Sequence, residues 1–111
     1  MPAGRGEMLT ILIGETDRHG HQPLYTEIVS RARRAGLAGA TVLRATAGFG
    51  ATARVHREHV LAVTQDVPVT IVIVDEPAKI EAFMPVVDEL MTDGLVMREG
   101  VDVLVHRGRK G

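Results

Sequence analysis

The chain has 111 residues, enough for one domain, which at this size buries about two-thirds of the surface its unfolded form exposes. Hydrophobic residues make up 45% and aromatics only 3%, so the core must be built from Val, Ile, Leu, Ala and Met, which suits a sheet with packed helices. A net charge of −1 argues against nucleic acid as a partner, and the absence of cysteine excludes disulfides, thiolate catalysis and thiolate metal sites.

In chain order, residues 1–7 hold Pro2, Gly4 and Gly6 without an apolar stretch, which predicts a flexible N-terminus and no secretory signal. No run approaches the roughly 18 apolar residues of a membrane span, so a cytoplasmic location is expected. Met8 to Ile13 is a short apolar run ended by Gly14, with Thr10 its one polar member, and predicts a central strand. Glu15 to Gln22 reads as a polar loop. Pro23 then stands where a first helical residue belongs, and Leu24, Ile28, Ala32 and Ala35 recur at helical spacing up to Gly36. Ala40 to Ala47 carries the β-formers Thr41, Val42, Leu43 and Thr46 around Arg44, a strand with one partly wet face that runs into Gly48-Phe49-Gly50.

Arg54 to Thr64 mixes Val55, Val60, Leu61 and Val63 with charged residues, the pattern of a short helical piece inside a long connection. Val67 to Val74 is the most apolar segment and predicts a buried strand, with Pro68 tolerated near its start because no ladder donor is needed there. Asp75 can cap the helix that follows, whose stripe is Ile80, Phe83, Met84, Val87, Leu90 and Met91. Pro85 inside that stripe should bend it near Glu81, and Thr92-Asp93-Gly94 stops it. Leu95 to Arg98 and Val101 to Val105 read as extended pieces separated by a bulge or turn at Glu99-Gly100, and residues 107–111 form a basic tail.

These elements give the ferredoxin-like α+β order βαββαβ over residues 8–106, with a further C-terminal strand if the last two pieces are separate. Two helices then cover one face of a four-stranded antiparallel sheet. The other face would be bare and apolar, so a homo-oligomer is expected.

Gly48-Phe49-Gly50 stands out among the loops. Two glycines around one aromatic can turn backbone N–H groups outward into an anion-accepting concavity, and Arg44, Arg54 and Arg57 flank it; equally, the turn can be structural with Phe49 plugging the core. Glu15, Asp17 and Arg18, after the first strand, are second candidates for a polar ligand, against a loop held by Asp17 and Thr16 on nearby amides. Among the five histidines, His56 and His59 would share a helix face beside Glu58, an alternative metal site that no recognised ligand spacing completes. No nucleophile elbow and no acid–base pair is present, and Ser30, the sole serine, lies on a helix, so an enzyme is not expected.

The segments Ile13-Gly14-Glu15-Thr16-Asp17-Arg18, Pro23-Leu24-Tyr25, Ala35 to Arg44, Gly48-Phe49-Gly50 and Val67-Pro68-Val69 together resemble the PII-like signal-transduction proteins, in the branch called domain of unknown function one-ninety. The resemblance implies a ferredoxin-like homotrimer with clefts between subunits, in which Gly48, Phe49 and Gly50 form the base of a sensing loop, residues 51–64, and a small effector such as an adenine nucleotide binds beneath it. The glycine- and lysine-rich phosphate segment of PII proteins is reduced here to Thr92-Asp93-Gly94-Leu95, leaving Gly94 as its remnant. The resemblance also implies two alternatives: an accessory to a membrane channel or transporter, for example in fluoride export, and a metal-binding trimer.

Overall fold

The structure, a computed structural model, describes residues 1–48 and 67–108. Its elements are β1 (Gly4–Gly14), β2 (Arg18–His19), β3 (Gln22–Pro23), α1 (Leu24–Arg34), β4 (Thr41–Arg44), β5 (Pro68–Asp75), α2 (Pro77–Leu90) and β6 (Leu95–Val103). The main sheet is antiparallel in the order β4-β5-β1-β6, the strand order of the ferredoxin-like plan, and β2 pairs with β3 in a small separate ladder.

Period-two alternation decides the faces of the sheet. Leu9, Ile11 and Ile13 of β1 and Val69, Ile71 and Ile73 of β5 are fully buried on one side, where they meet Leu24, Ile28 and Ala32 of α1 and Ile80, Phe83, Val87 and Leu90 of α2. Each large aliphatic side chain or phenyl ring so enclosed contributes about 1.5–3 kcal/mol relative to exposure. Ala35, expected on the same stripe, is exposed because α1 ends at Arg34.

Register places Thr41 and Leu43 of β4, Thr70, Val72 and Val74 of β5, Met8, Thr10 and Leu12 of β1, and Leu95, Met97, Val101 and Val103 of β6 on the opposite face. Among the described residues, no helix covers them. Leu43 is 56%, Leu95 45% and Met97 44% exposed, so the expected bare apolar face is present in the single chain.

Several boundaries differ from the sequence reading. β1 begins at Gly4, four residues before Met8, because Gly4 to Glu7 continue the ladder against Val103 to Gly100. The pieces expected on either side of Glu99-Gly100 are one strand without a bulge: Glu99 pairs with Met8 and Gly100 with Glu7 in unbroken register, and residues 104–108 carry no further strand. β4 is only Thr41–Arg44, and the loop expected at 15–22 contains the β2–β3 ladder. Pro23 is the cap of α1 rather than its first residue. α2 runs without a break across Pro85, which is exposed, so the Glu81 carbonyl that loses its helical donor belongs to the solvent side. The short helix read at residues 54–64 lies outside the described residues.

Candidate functional site

The site is built at the end of the sheet where β4 stops and β5 starts. The Ala45 N–H donates to the Pro68 carbonyl and the Glu15 N–H to the Val67 carbonyl, each at 3.0 Å, so the first residues of β5 are pinned on both sides. Over them runs a side-chain bridge. Arg44, at the end of β4, and Glu15, just after β1, stand on the strands either side of β5, about two interstrand spacings of 4.8 Å apart. Arg44 Nη2 donates to Glu15 Oε1 at 2.9 Å and Nε donates to Oε2. That hydrogen bond, and then the carboxylate charge, hold the Arg44 guanidinium above its ordinary pKa. Gly48 lies beyond this bridge at φ +156°, with the Pro68 ring 3.4 Å from where a Cβ would sit.

Asp17 faces inward. Its Oδ2 accepts the Gly14 N–H at 3.0 Å while its own N–H donates to the Gly14 carbonyl at 3.1 Å, and its carbonyl accepts the Leu24 N–H at 2.8 Å. The residue is 4% exposed and ties the end of β1 to the start of α1. Arg18 Nη2 donates to the His21 carbonyl at 2.5 Å, closing the β2–β3 turn on itself. That turn is joined to α1 through Glu27, which takes a hydrogen bond from Gln22 and a 2.7 Å bond from Arg31 Nε, with Arg34 at 3.7 Å. Burial alone would push the Glu27 carboxyl up, but the hydrogen bonds from Arg31 and Gln22 and the nearby positive charge outweigh it and hold the group below its ordinary pKa.

The loop between α1 and β4 forms the second part of the site. α1 ends in a Schellman turn, with Leu37 N–H on the Ala32 carbonyl and Gly36 N–H on the Arg33 carbonyl, both at 3.1 Å, and Gly36 at φ +80° supplies the left-handed residue. Ala38 N–H then donates to Asp75 Oδ2 at 2.8 Å, while Asp75 Oδ1 accepts the Glu76 N–H at 2.7 Å. Asp75 was expected to cap α2; the cap position is Glu76, and Asp75 instead holds the loop against the start of the helix. Hollows open on both sides of that loop. One, of about 270 Å³, lies against Val29, Ala32 and Arg33 of α1; the other, of about 250 Å³, is lined by Ala38 to Thr41, Val72, Val74, Met1 and His106 on the bare-face side. His106 Nδ1 and the Met1 carbonyl meet at 2.6 Å beside it.

Comparison with known proteins places the chain. Residues 6–103 match DUF190, a family described as Uncharacterized ACR. The chain belongs to this family. A UPF0166 protein of Aquifex aeolicus (strain VF5) is 33% identical over 98 residues, which cover 88% of this chain and 92% of the relative. Among solved structures, the chain is similar to CPII of Thiomonas intermedia K12, bound to ADP, AMP and acetate. The TM-score is 0.57 at 17% identity, over 98% of this chain and 94% of that one, a likeness of fold. The four-stranded sheet with two helices on one face is thus a PII-like, ferredoxin-like fold.

In this DUF190 protein the predicted site residues separate. Arg44, Glu15 and Gly48 converge at the start of β5; Asp17 and Arg18 are engaged within the neighbouring turn. Phe49, Gly50, Arg54, His56 and His59 lie outside the described residues, as does the loop 51–64. Gly94 has φ +125°, and a Cβ there would meet the Leu12 carbonyl oxygen at 2.5 Å, so its place against β1 needs the missing side chain. Among the described residues, no group of three His, Cys, Asp or Glu is arranged to hold a metal, and no helix is long and apolar enough to cross a membrane. The two hollows and the Asp75 anchor were missed. Their one sequence signal was the run Ala38-Gly39-Ala40, small residues that leave space beside a strand.

Proposed function

We propose that this protein is a PII-like regulator, not an enzyme, that binds a small effector, an adenine nucleotide, in a cleft between subunits of a cytoplasmic homotrimer and signals through residues 51–64. The observation that carries this reading is the bare apolar face with a hollow at its margin. Leu43, Leu95 and Met97 gain most from burial against a second copy, and the hollow lined by Thr41, Val72, Val74 and His106 opens on that same side, where a partner would close it. Its small apolar walls suit a planar base, and Thr41 and His106 offer polar contacts. The presence of ADP and AMP in the related CPII fold supports the choice of ligand class.

The phosphates of such a ligand would find little at Gly94, which is packed against β1; Arg44 and the Gly48 turn lie at the other end of β5 from the hollow and, with Arg54, are proposed to serve them from a neighbouring subunit across the cleft. Calorimetric titration of ATP, ADP, AMP and cyclic nucleotides into the purified oligomer tests the reading. Saturable heat with at least one adenine nucleotide is expected, and no heat with any of them in a folded oligomer refutes it.

A further inference from the structure

Arg44 is held side-on by one carboxylate, along its Nε–Nη2 edge, with two different nitrogens on two different oxygens. This is the geometry in which a guanidinium takes a carboxylate or the edge of a phosphate from solution. Other arginines of the described residues are held differently. Arg98 places Nε and Nη2 on a single oxygen of Glu7, reaches Glu81 with Nη1, and is 31% exposed; Arg5 makes one contact with Asp102.

Three observations make the Glu15 carboxylate replaceable. Arg44 is 59% exposed, so a solute can reach its fork. The backbone beneath does not depend on the side-chain bridge, because Ala45 and Glu15 already hold Pro68 and Val67 through their own N–H groups. An ion pair this close to water is also worth little net free energy, so a soluble anion competes with it on nearly equal terms.

We propose that Arg44 is an oxyanion-binding residue and that Glu15 is its intramolecular occupant, displaced when a carboxylate or phosphate group of the effector arrives. Glu15 therefore weakens anion binding rather than contributing to it. The proposal rests on reading Arg44 as the group that meets the charged end of the effector, but its test uses inorganic phosphate and acetate, so a failure of nucleotide binding would leave it standing.

The experiment is titration of isotope-labelled protein with phosphate and, separately, acetate, following the Arg44 Nε resonance and the Ala45 amide. In wild-type protein the Arg44 resonance must move and saturate with at least one anion; a resonance that stays fixed with both overturns the proposal. Glu15→Gln should bind that anion about two- to sixfold more tightly, the gain from lifting one exposed ion pair out of competition. Glu15→Ala, which leaves no amide against the guanidinium, should move the same way, and Arg44→Gln should abolish the Ala45 shift. Unchanged or weaker binding in the folded Glu15 variants, or wild-type affinity in Arg44→Gln, overturns it. Saturation with phosphate alone identifies the recognised group as a phosphate, and with acetate alone as a carboxylate.

Discussion

Gly94→Ala separates a packing role from a ligand role at the glycine that the sequence reading expected to remain of a phosphate-binding segment. The new Cβ would lie 2.5 Å from the Leu12 carbonyl oxygen, 2.8 Å from Met91 Cε and 3.1 Å from Ile13 Cγ2. Met91 can swing away, but the Leu12 carbonyl belongs to a strand paired on both sides, with Thr70 and Leu95. The positive φ adds about 1–3 kcal/mol of backbone strain. Overpacking against β1 adds about 1–3 kcal/mol, for a total of about 2–6 kcal/mol. In a domain of this size each kcal/mol lowers Tm by about 4 °C, so a fall of about 8–24 °C is expected. Gly36→Ala is the control: its φ is +80° but nothing lies within 4 Å of the new Cβ. It should lose only the left-handed strain, about 1–2 kcal/mol. Thermal unfolding followed by circular dichroism at one fixed protein concentration measures both. A Gly94→Ala variant that melts with Gly36→Ala or with wild type would refute the assignment of Gly94 to packing against β1.

Three further outcomes follow from the same contacts. Asp75→Ala leaves the Ala38 and Glu76 N–H groups without their acceptor and should cost about 1–3 kcal/mol in denaturant unfolding. Met97→Glu puts a charge on a half-exposed position of the bare face, so secondary structure should persist while sedimentation shows smaller species; an unchanged mass would remove that face from the interface. Glu27 has a folded pKa below its ordinary 4.5, so its stabilising contribution is complete above about pH 4.5 and is lost as pH falls through the folded value. Glu27→Gln should therefore be less stable than wild type at neutral pH, with the gap narrowing under acid. A gap that stays constant or widens below pH 4.5 would contradict the pairing with Arg31 and Gln22.

Legibility in the sequence followed locality. The stripe Ile80, Phe83, Val87 and Leu90 and the run that became β5 carry their own periodicity, and both appear where that periodicity puts them. The start of β1 does not: Gly4-Arg5-Gly6-Glu7 has no apolar pattern, and its strand character comes from pairing with Gly100 to Val103, almost a chain length away. The same partner removes the break expected at Glu99-Gly100, where a glycine following a charged residue looks like a turn when read alone. β2 and β3 are two residues each, too short for any period, and are joined to the body through the Gln22–Glu27–Arg31 contacts.

The site divided in the same way. Glu15 stood out as a charge after the first strand and Arg44 as one flanking the glycine turn, but their bridge across β5 needed the strand order, which places β4 and β1 on either side of it. Asp75 looked like a helix cap because an acidic residue before Pro77 has that local meaning; its second oxygen reaches Ala38, which adjacency along the chain does not reveal. Hollows beside Ala38 to Thr41 are properties of assembled elements; the small residues Ala38-Gly39-Ala40 leave space beside a strand but do not say which elements enclose it.

Native mass spectrometry of the protein with ADP tests effector binding between subunits most directly, because it reads assembly and occupancy together. The account predicts a trimer carrying up to three ADP molecules, with the trimer lost in Met97→Glu. A monomer, or a trimer that retains neither ADP nor ATP, AMP or a cyclic adenine nucleotide offered in its place, would contradict it.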